Sequence, residues 1–224
     1  SGSYNFGGYM SNLRVVKGTA VYTGTSAITV PTSPLTAITN TVLLTASSNT
    51  GQDRSTTGAT ICRCPVANGA RVLPFSPFKN SAKYSAATHG GSFVFQQNSN
   101  SYLSVSHATL FDFGTADHCV EAWLYPTQGS FNTSWAMWAS TSGVNQYWAY
   151  TDGGGNQAAA GFSAYPAGGY SGNNNHILRP HAWHHCVFQN TGGYENWYLN
   201  GTRIYNVQNN PNHGSSASGM TFGR

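Results

Sequence analysis

Residues 183–204 read WHHCVFQNTGGYENWYLNGTRI, and this stretch decides the fold class. Residues 183–189 and 196–200 are rich in the aromatic and β-branched residues that favour strands, and we predict that they form a pair of β-strands. The sequence NTGGYE joins these two segments, and Asn200–Gly201 is typical of the tight turn of a β-hairpin. The stretch therefore predicts three consecutive antiparallel strands, the third of which covers residues 202–207.

The same strand pattern continues towards the N-terminus. Residues 119–125 (CVEAWLY) alternate, so that Cys119, Glu121, Trp123 and Tyr125 share one face of a strand. Further short strands are predicted at residues 41–46, 60–66, 92–96, 102–105, 134–139 and 147–150. We expect a hairpin turn over NSNS to join the strands at 92–96 and 102–105. Many short strands separated by turns predict an all-β, two-sheet antiparallel sandwich.

The composition excludes several classes of protein. Only 7% of the 224 residues are charged, against about 25% in an average soluble domain. A hydrophobic fraction of 39% and an aromatic fraction of 13% exclude disorder for most of the chain. No stretch approaches the roughly 20 apolar residues of a membrane helix, so we expect no membrane insertion. The net charge is +4, and the basic residues are scattered along the chain without a basic run, so we expect no nucleic-acid partner. The low content of charged residues favours self-association.

Three runs resemble the laminin-G-like, concanavalin A-like jelly-roll family, of the kind found in tandem in structural proteins of aquatic bacteriophages. They are FDFGTADHCVEAWLYP at 111–126, the stretch 183–204, and residues 9–44, which look like the family's closing segment. The resemblance divides the chain into closing strands at 1–46, a polar, proline-containing connector at 47–82 and the main body of the sandwich at 83–224. The order is therefore permuted relative to the family, or a neighbouring subunit completes the sandwich. A third alternative is one repeat cut from a longer tandem array.

The order of segments predicts a structural, repeating role, and the resemblance implies a self-assembling component of a virion, as a capsid decoration or tail fibre, or of an extracellular fibre. Its partners would be further copies of itself and other virion proteins, at the virion surface or outside the cell. An incomplete sheet exposes edges that pair with another chain, so terminal strands can join copies. The residues expected to carry the assembly contacts are Phe6, Tyr9, Leu13, Val15 and Phe222, of which Tyr9, Leu13 and Val15 are predicted to share one face.

The alternative function is a glycan-binding, lectin-like adhesin for attachment to a host or surface. Saccharide sites use aromatic rings that stack on the sugar and amide groups that hydrogen-bond to its hydroxyls. The sequence supplies these residue types in one region, and the candidate glycan-binding residues are Tyr147, Trp148, Tyr150, Tyr165, Tyr170, Asn173 and Asn174.

The acidic residues argue against an enzyme. The chain has six of them, and Asp117 and Glu121 would share a face about 13 Å apart on a strand. Glycosidases need two carboxyl groups about 5.5 to 9.5 Å apart, so we expect no catalytic residues and interpret Glu121 as a strand residue satisfied by hydrogen bonds. The sequence requires no cofactor. If a metal binds, the resemblance implies calcium, because laminin-G-like domains often bind it through loop aspartates and backbone carbonyls. The candidate ligands here are Asp117 and Asp152.

The four cysteines do not form a zinc pattern, because only Cys62 and Cys64 are close in sequence and their spacing differs from that of a CxxC pair. Free Cys is among the residue types most often buried, so we expect free thiols. A disulfide between Cys119 and Cys186 would require that their strands be close neighbours.

Overall fold

The structure is a computed structural model, which describes most of the chain. The described residues are 6–64, 71–81, 83–96, 101–106, 108–127, 133–140, 146–151, 160–165, 171–173, 178–208 and 220–223. For the strands between residues 133 and 173, the description covers the backbone.

Strands carry nearly all the regular structure of the described residues. In chain order they are β1 (Gly8–Lys17), β2 (Thr41–Thr45), β3 (Ile61–Cys64), β4 (Arg71–Leu73), β5 (Ser92–Phe95), β6 (Tyr102–Val105), β7 (His118–Pro126), β8 (Thr133–Ser140), β9 (Gln146–Thr151), β10 (Ala160–Tyr165), β11 (Ser171–Asn173), β12 (His184–Thr191), β13 (Tyr194–Leu199), β14 (Thr202–Gln208) and β15 (Met220–Phe222). Helix is limited, within the same residues, to α1 (Ala86–His89) and a 3₁₀ turn at Ala108–Phe111. No helix in the described part of the chain is long and apolar enough to cross a membrane.

The strands form two antiparallel sheets. Sheet A has eight strands in the order β14, β13, β12, β7, β1, β5 and β4, with β2 also paired to β1. Sheet B has seven strands in the order β11, β10, β9, β8, β15, β6 and β3. One apolar cluster contains Val120 and Phe188 from sheet A together with Leu103 and Phe222 from sheet B. The all-β antiparallel prediction is confirmed, and the shared cluster is consistent with a β-sandwich.

The three strands predicted from residues 183–204 are confirmed. β12 pairs with β13, and β13 pairs with β14, both antiparallel. Asn200 and Gly201 have φ angles of 49° and 87°, as the two central residues of a type I′ hairpin turn require. This meander forms one side of sheet A, next to β7.

The strand nearest the N-terminus, β1, lies in the middle of sheet A. It pairs with β7 along one side. Along its other side, residues 8–10 pair with β5 and residues 13–16 pair with β2. On the β7 side, Gly8 allows the backbones of β1 and β7 to come close, because a Cβ atom at that position would overlap the carbonyl oxygen of Tyr125. β1 therefore holds β5 and β2 against the rest of the sheet.

A bulge at Asn12 changes which side chains of β1 share a face. Asn12 has a φ of 51°, which asparagine tolerates, and the pairing with β7 shifts register there. Leu13 and Val15 consequently lie in the core, whereas Tyr9 contacts Phe75 on the opposite face. The prediction that Tyr9, Leu13 and Val15 share one face is wrong, because it assumed uninterrupted alternation.

The strands at 92–95 and 102–105 do not form the expected hairpin. β5 pairs with β1 and β4 in sheet A, whereas β6 pairs with β3 and β15 in sheet B. The chain crosses between the sheets here, so Phe93 and Leu103 enter the core from different sheets. Two short strands around a polar turn give the same sequence pattern in a hairpin and in such a crossing.

Residues 47–82, expected to be a connector, contribute a strand to each sheet. β3 belongs to sheet B and β4 to sheet A. The polar loop before β3 is ordered by Asp53, whose carboxylate accepts hydrogen bonds from the backbone N–H groups of Leu44 at 2.9 Å, Ser55 at 2.9 Å and Ala59 at 2.8 Å. This segment therefore joins the two sheets structurally as well as in sequence.

Candidate functional site

The two faces of sheet A have different surroundings. One face packs on the core, and the other, here called the outer face, is covered by residues 18–36, here called the strap. The strap is attached at the turn between β13 and β14, where Ile28 N–H donates to the Gly201 carbonyl at 2.8 Å and Arg203 N–H donates to the Ser26 carbonyl at 2.9 Å. The covered face is the candidate site, because it contains a buried ion pair.

A charged cluster lies under the strap, centred on Glu121 of β7. Arg14 of β1 donates to Glu121 Oε1, with Nε at 2.7 Å and Nη2 at 2.5 Å. The Tyr22 hydroxyl from the strap donates to Glu121 Oε2 at 2.6 Å, and His185 Nε2 lies 3.1 Å from the same oxygen. Both Glu121 and His185 are fully buried. The prediction that Glu121 is a strand residue satisfied by hydrogen bonds is confirmed.

The surroundings of Glu121 keep it ionised. Burial alone would raise the pKa of its carboxyl group, but the hydrogen bond from His185, the positive charge of Arg14 and the hydroxyl of Tyr22 outweigh burial, so the pKa lies below its usual value. Burial raises the pKa of the Tyr22 hydroxyl, and the charge of Glu121 raises it further. Tyr22 therefore keeps its proton and remains a donor to Glu121.

Gln189 of β12 fixes the strap above this cluster. Its Oε1 accepts from the backbone N–H groups of Val21 and Tyr22, each at 2.8 Å. Its Nε2 donates to the Tyr22 carbonyl at 2.6 Å and to Thr191 Oγ1 at 2.8 Å. The buried side chain of Gln189, which is 1% exposed, thus bonds the backbone groups of the strap that a neighbouring strand would otherwise bond.

A groove of about 260 Å³ opens between the strap and the outer face of β13 and β14. Tyr198 lies at its floor, since that residue is buried and its hydroxyl donates to the Gly24 carbonyl at 2.8 Å. Tyr194 lies at its rim with 40% of its surface exposed. Other residues that line the groove include Tyr22, Asn196, Arg203 and Asn206, together with three threonines. The groove therefore presents aromatic rings, amides, hydroxyls and one cation.

A group of aromatic rings covers the part of the outer face beside the strap. Phe75 packs edge-on against Tyr9 and Tyr125, with ring centroids 4.7 and 4.9 Å apart. It also packs against Trp183 at 5.1 Å. These four rings are half-buried, so the segment around Phe75 covers the face without sealing it.

The predicted glycan-binding residues fall elsewhere, on sheet B. On its neighbouring strands β9, β10 and β11 lie Tyr147, Trp148, Tyr150, Tyr165 and Asn173. The structure describes the backbone of these five residues. Tyr170 and Asn174 lie outside the described residues. Their role in glycan binding stays a prediction.

Of the two predicted calcium ligands, Asp117 lies among the described residues. Asp117 precedes β7, and its Oδ1 accepts the backbone N–H of Gly192 at 2.8 Å. Its carbonyl accepts the N–H of Gly18 at 2.7 Å, so Asp117 ties two turns together. Asp152 lies outside the described residues. Among the described residues, no group of three or more His, Cys, Asp or Glu side chains could hold a metal ion.

The predicted assembly residues make contacts within this chain. Phe6, Leu13, Val15 and Phe222 are buried in the core, and Tyr9 packs against aromatic rings on the outer face. If these residues join copies of the chain, the same contacts must form between a residue of one copy and its partners in another copy. Their role in assembly stays a prediction.

The thiols of Cys119 and Cys186 lie on opposite faces of sheet A. Cys119 belongs to the small apolar cluster under the strap, and Cys186 belongs to the core. Both are free and buried, whereas Cys62 is free and exposed. A disulfide between Cys119 and Cys186 is not formed, because the sheet itself separates them.

Sequence reasoning missed the groove and the charged partners of Glu121. The alternation of Tyr194, Asn196 and Tyr198 already placed three polar or aromatic residues on one face. The other wall of the groove is formed by the strap around Tyr22, which lies more than 160 positions away in the sequence. Comparison of the chain with protein-family models, with curated proteins and with solved structures found no match.

Proposed function

We propose that this chain is a structural, self-assembling component of a virion or of an extracellular fibre. The position of β1 carries the proposal. This central strand buries Leu13 and Val15 completely, and the Phe6 N–H donates to the Gly223 carbonyl at 3.1 Å. The segments near the two chain ends thus meet at one place. A β1 strand from a neighbouring copy could make the same contacts, which is how domain-swapped copies join.

We further propose that the sandwich is that of the laminin-G-like family. Residues 83–224 and 1–46 together form a laminin-G-like jelly roll, permuted within one chain or shared between copies. The pairing of β1 with β7 supports this assignment, because each strand lies in one of the runs that resemble the family. Further copies and other virion proteins are the expected partners, at the virion surface or outside the cell.

A structural role agrees with the chemistry of the buried acid. A general acid or base must come within hydrogen-bond distance of its substrate. Glu121 is fully buried, and both of its oxygens already have partners. A carboxylate in that position stabilises sheet A and the strap, so we propose no enzymatic activity.

The alternative function is a glycan-binding adhesin. The groove beside the strap favours it, because a concave site with aromatic rings and a few convergent polar groups is what small-ligand sites require. Tyr194, Asn196 and Arg203 supply those groups. The two functions are compatible within one particle.

Crosslinking tests whether copies exchange β1. Val16 lies directly opposite Cys119 in the pairing of β1 with β7, and opposed residues of antiparallel strands are within disulfide range. We expect Val16→Cys, in a chain with Cys62→Ser and Cys64→Ser, to give a ladder of reducible covalent oligomers when the assembled protein is oxidised. The products are read by non-reducing electrophoresis and mass spectrometry.

The control is Val15→Cys, which places a thiol on the opposite face against Val120 and should form no such bond. Light scattering on the unmodified chain measures whether it assembles at all. A Val16→Cys protein that oxidises only to an intrachain-bonded monomer at concentrations where the chain assembles would contradict strand exchange.

A further inference from the structure

We propose that the groove between the strap and the β13–β14 hairpin binds a saccharide ring that carries a carboxylate, such as a uronic acid. The juxtaposition of Tyr22 and Tyr198 with Arg203, Asn196 and Asn206 points to this ligand class. The inference gives the adhesin function a site and a ligand, and it holds whether or not copies exchange β1.

The aromatic part of the groove is rigid. The Tyr198 hydroxyl is held by Gly24, and the Tyr22 hydroxyl is held by Glu121. Their ring centroids are 6.3 Å apart with an interplanar angle of 50°. Tyr198 is buried and supports the half-buried ring of Tyr22 from below. The rings of Tyr22 and of the exposed Tyr194 are suitable partners for the apolar C–H face of a sugar, and a ring that is already fixed loses little conformational entropy when a ligand packs on it.

The amides of the groove are also arranged in advance. Asn206 Nδ2 donates to Asn196 Oδ1 at 2.8 Å, and Asn196 Nδ2 donates to the Tyr194 carbonyl at 3.2 Å. The contact with Asn196 uses one N–H bond of Asn206, and the exposed side chain of Asn206 has a second N–H and a carbonyl oxygen to offer a ligand. A sugar hydroxyl, which both donates and accepts, matches that pair of groups.

Arg203 decides the charge of the ligand. It is half-buried in the groove wall, and the ion pairs among the described residues all involve Glu121, not Arg203. The chain has ten basic residues and six acidic ones, so an acidic ligand meets a favourable overall charge. A guanidinium binds a carboxylate through two parallel hydrogen bonds, which favours an acidic sugar over a neutral one.

The size of the groove limits the ligand. A volume of about 260 Å³ lies just below the range of roughly 300 to 1,000 Å³ for sites that hold drug-sized molecules. The groove therefore accommodates one ring, and the rest of a polysaccharide would extend over the exposed rim at Tyr194.

The test is saturation-transfer NMR with glucuronic acid as the probe and glucose as the neutral control. We expect binding of glucuronic acid with a Kd on the order of millimolar, as for a single small ring, and at least about ten-fold weaker binding of glucose. Arg203→Gln should weaken glucuronic acid binding about ten-fold or more, since it removes a charge-assisted hydrogen-bond pair.

Two further variants separate the site from general effects. Tyr194→Ala changes an exposed rim residue, so the fold should persist while binding weakens. Arg54→Gln removes an exposed arginine on a distant loop and should leave binding unchanged. Equal binding of both sugars, no binding of glucuronic acid to the folded chain, or equal effects of Arg203→Gln and Arg54→Gln would each overturn the proposal. None of these outcomes bears on the crosslinking result for β1.

Discussion

Glu121 is the residue on which the outer face depends most. Sheet A buries it completely, and its partners come from three separate elements: Arg14 from β1, Tyr22 from the strap and His185 from β12. Taking a charge out of water costs free energy that only good geometry repays. The cluster therefore contributes stability as a unit, and the loss of one member leaves the others with an uncompensated cost.

Glu121→Gln should lower the free energy of unfolding by about 3 kcal/mol or more, because it leaves the Arg14 charge buried without an anion. Arg14→Met alone should cost a similar amount. The double variant should cost clearly less than the sum of the two, since it removes both charges. Urea denaturation measures all three, with the exposed Arg54→Gln as a control that should change little. Strictly additive effects would show that the two side chains do not act together.

The same cluster predicts a pH dependence. The folded pKa of Glu121 lies below its usual value, which is about 4.3 in an unfolded chain. Its contribution to stability is therefore complete above that pH and is lost as the pH falls through the lower folded pKa. The groups that face it are Arg14, His185, Tyr22 and Cys119.

Carbon NMR of selectively labelled glutamate can measure this pKa directly, because Glu121 and Glu195 are the only two glutamates in the sequence. Glu121→Gln assigns the signals. The Glu121 carboxyl should remain ionised at pH values where a solvent-exposed glutamate is protonated. A midpoint at or above the usual value would refute the predicted direction.

The sequence identified Glu121 as a satisfied strand residue but not its partners. Alternation along residues 119–125 is local information, and it placed the carboxylate on the face opposite Val120. Arg14 and Tyr22 lie 107 and 99 positions away, so only the tertiary fold brings them to it. Asn12 shows a second limit, since one residue in a left-handed conformation reverses the alternation beyond it.

The strap is an element held mostly by side chains. Its ladder contact with the sheets, within the described residues, is a single bridge between Ala27 and Thr202. Gln189 instead supplies three hydrogen bonds to the strap, at Val21 and Tyr22. An element fixed in this way can open locally while the sheet beneath it stays intact.

Gln189→Leu should therefore loosen the strap selectively. We expect the backbone amides of Val21 and Tyr22 to exchange with solvent at least about ten-fold faster, since each lost hydrogen bond is worth about 1 kcal/mol. Amides of β7 and β12 should keep their protection in hydrogen-exchange mass spectrometry.

The matched control is Thr191→Val, which removes one partner of Gln189 and leaves its bonds to the strap in place. It should change the exchange of Val21 and Tyr22 far less. If Gln189→Leu accelerated exchange equally throughout sheet A, the side chain would matter for the whole fold and not for the strap alone.

Elements with a strong local signal were the ones that the sequence predicted. β7 has an alternating pattern, and β12, β13 and β14 are joined by turn residues of the required conformation. The crossing between β5 and β6 could not be predicted, because the choice of partner strand depends on which sheet has room for it. The groove needed both the hairpin and the strap, so no single stretch of sequence contained it.

At the scale of the whole molecule, one sheet separates two kinds of interior. The core side is mostly apolar and shared with sheet B, and the strap side is polar, charged and only partly closed. A composition with 7% charged residues fits this arrangement, because neutral polar groups and a few paired charges cover the second interior. The proposed assembly and ligand contacts both use features of sheet A, at β1 and at the β13–β14 hairpin.

Because the two buried thiols lie in different interiors, the rates at which they react with an added reagent measure two different opening motions of the protein. Burial raises the pKa of both Cys119 and Cys186, so neither reacts with an alkylating reagent while it is covered. Alkylation of Cys119 reports the lifting of the strap, and alkylation of Cys186 reports the opening of the core. The thiol of Cys62 is exposed and needs no opening, so its alkylation gives the reference rate for an accessible thiol.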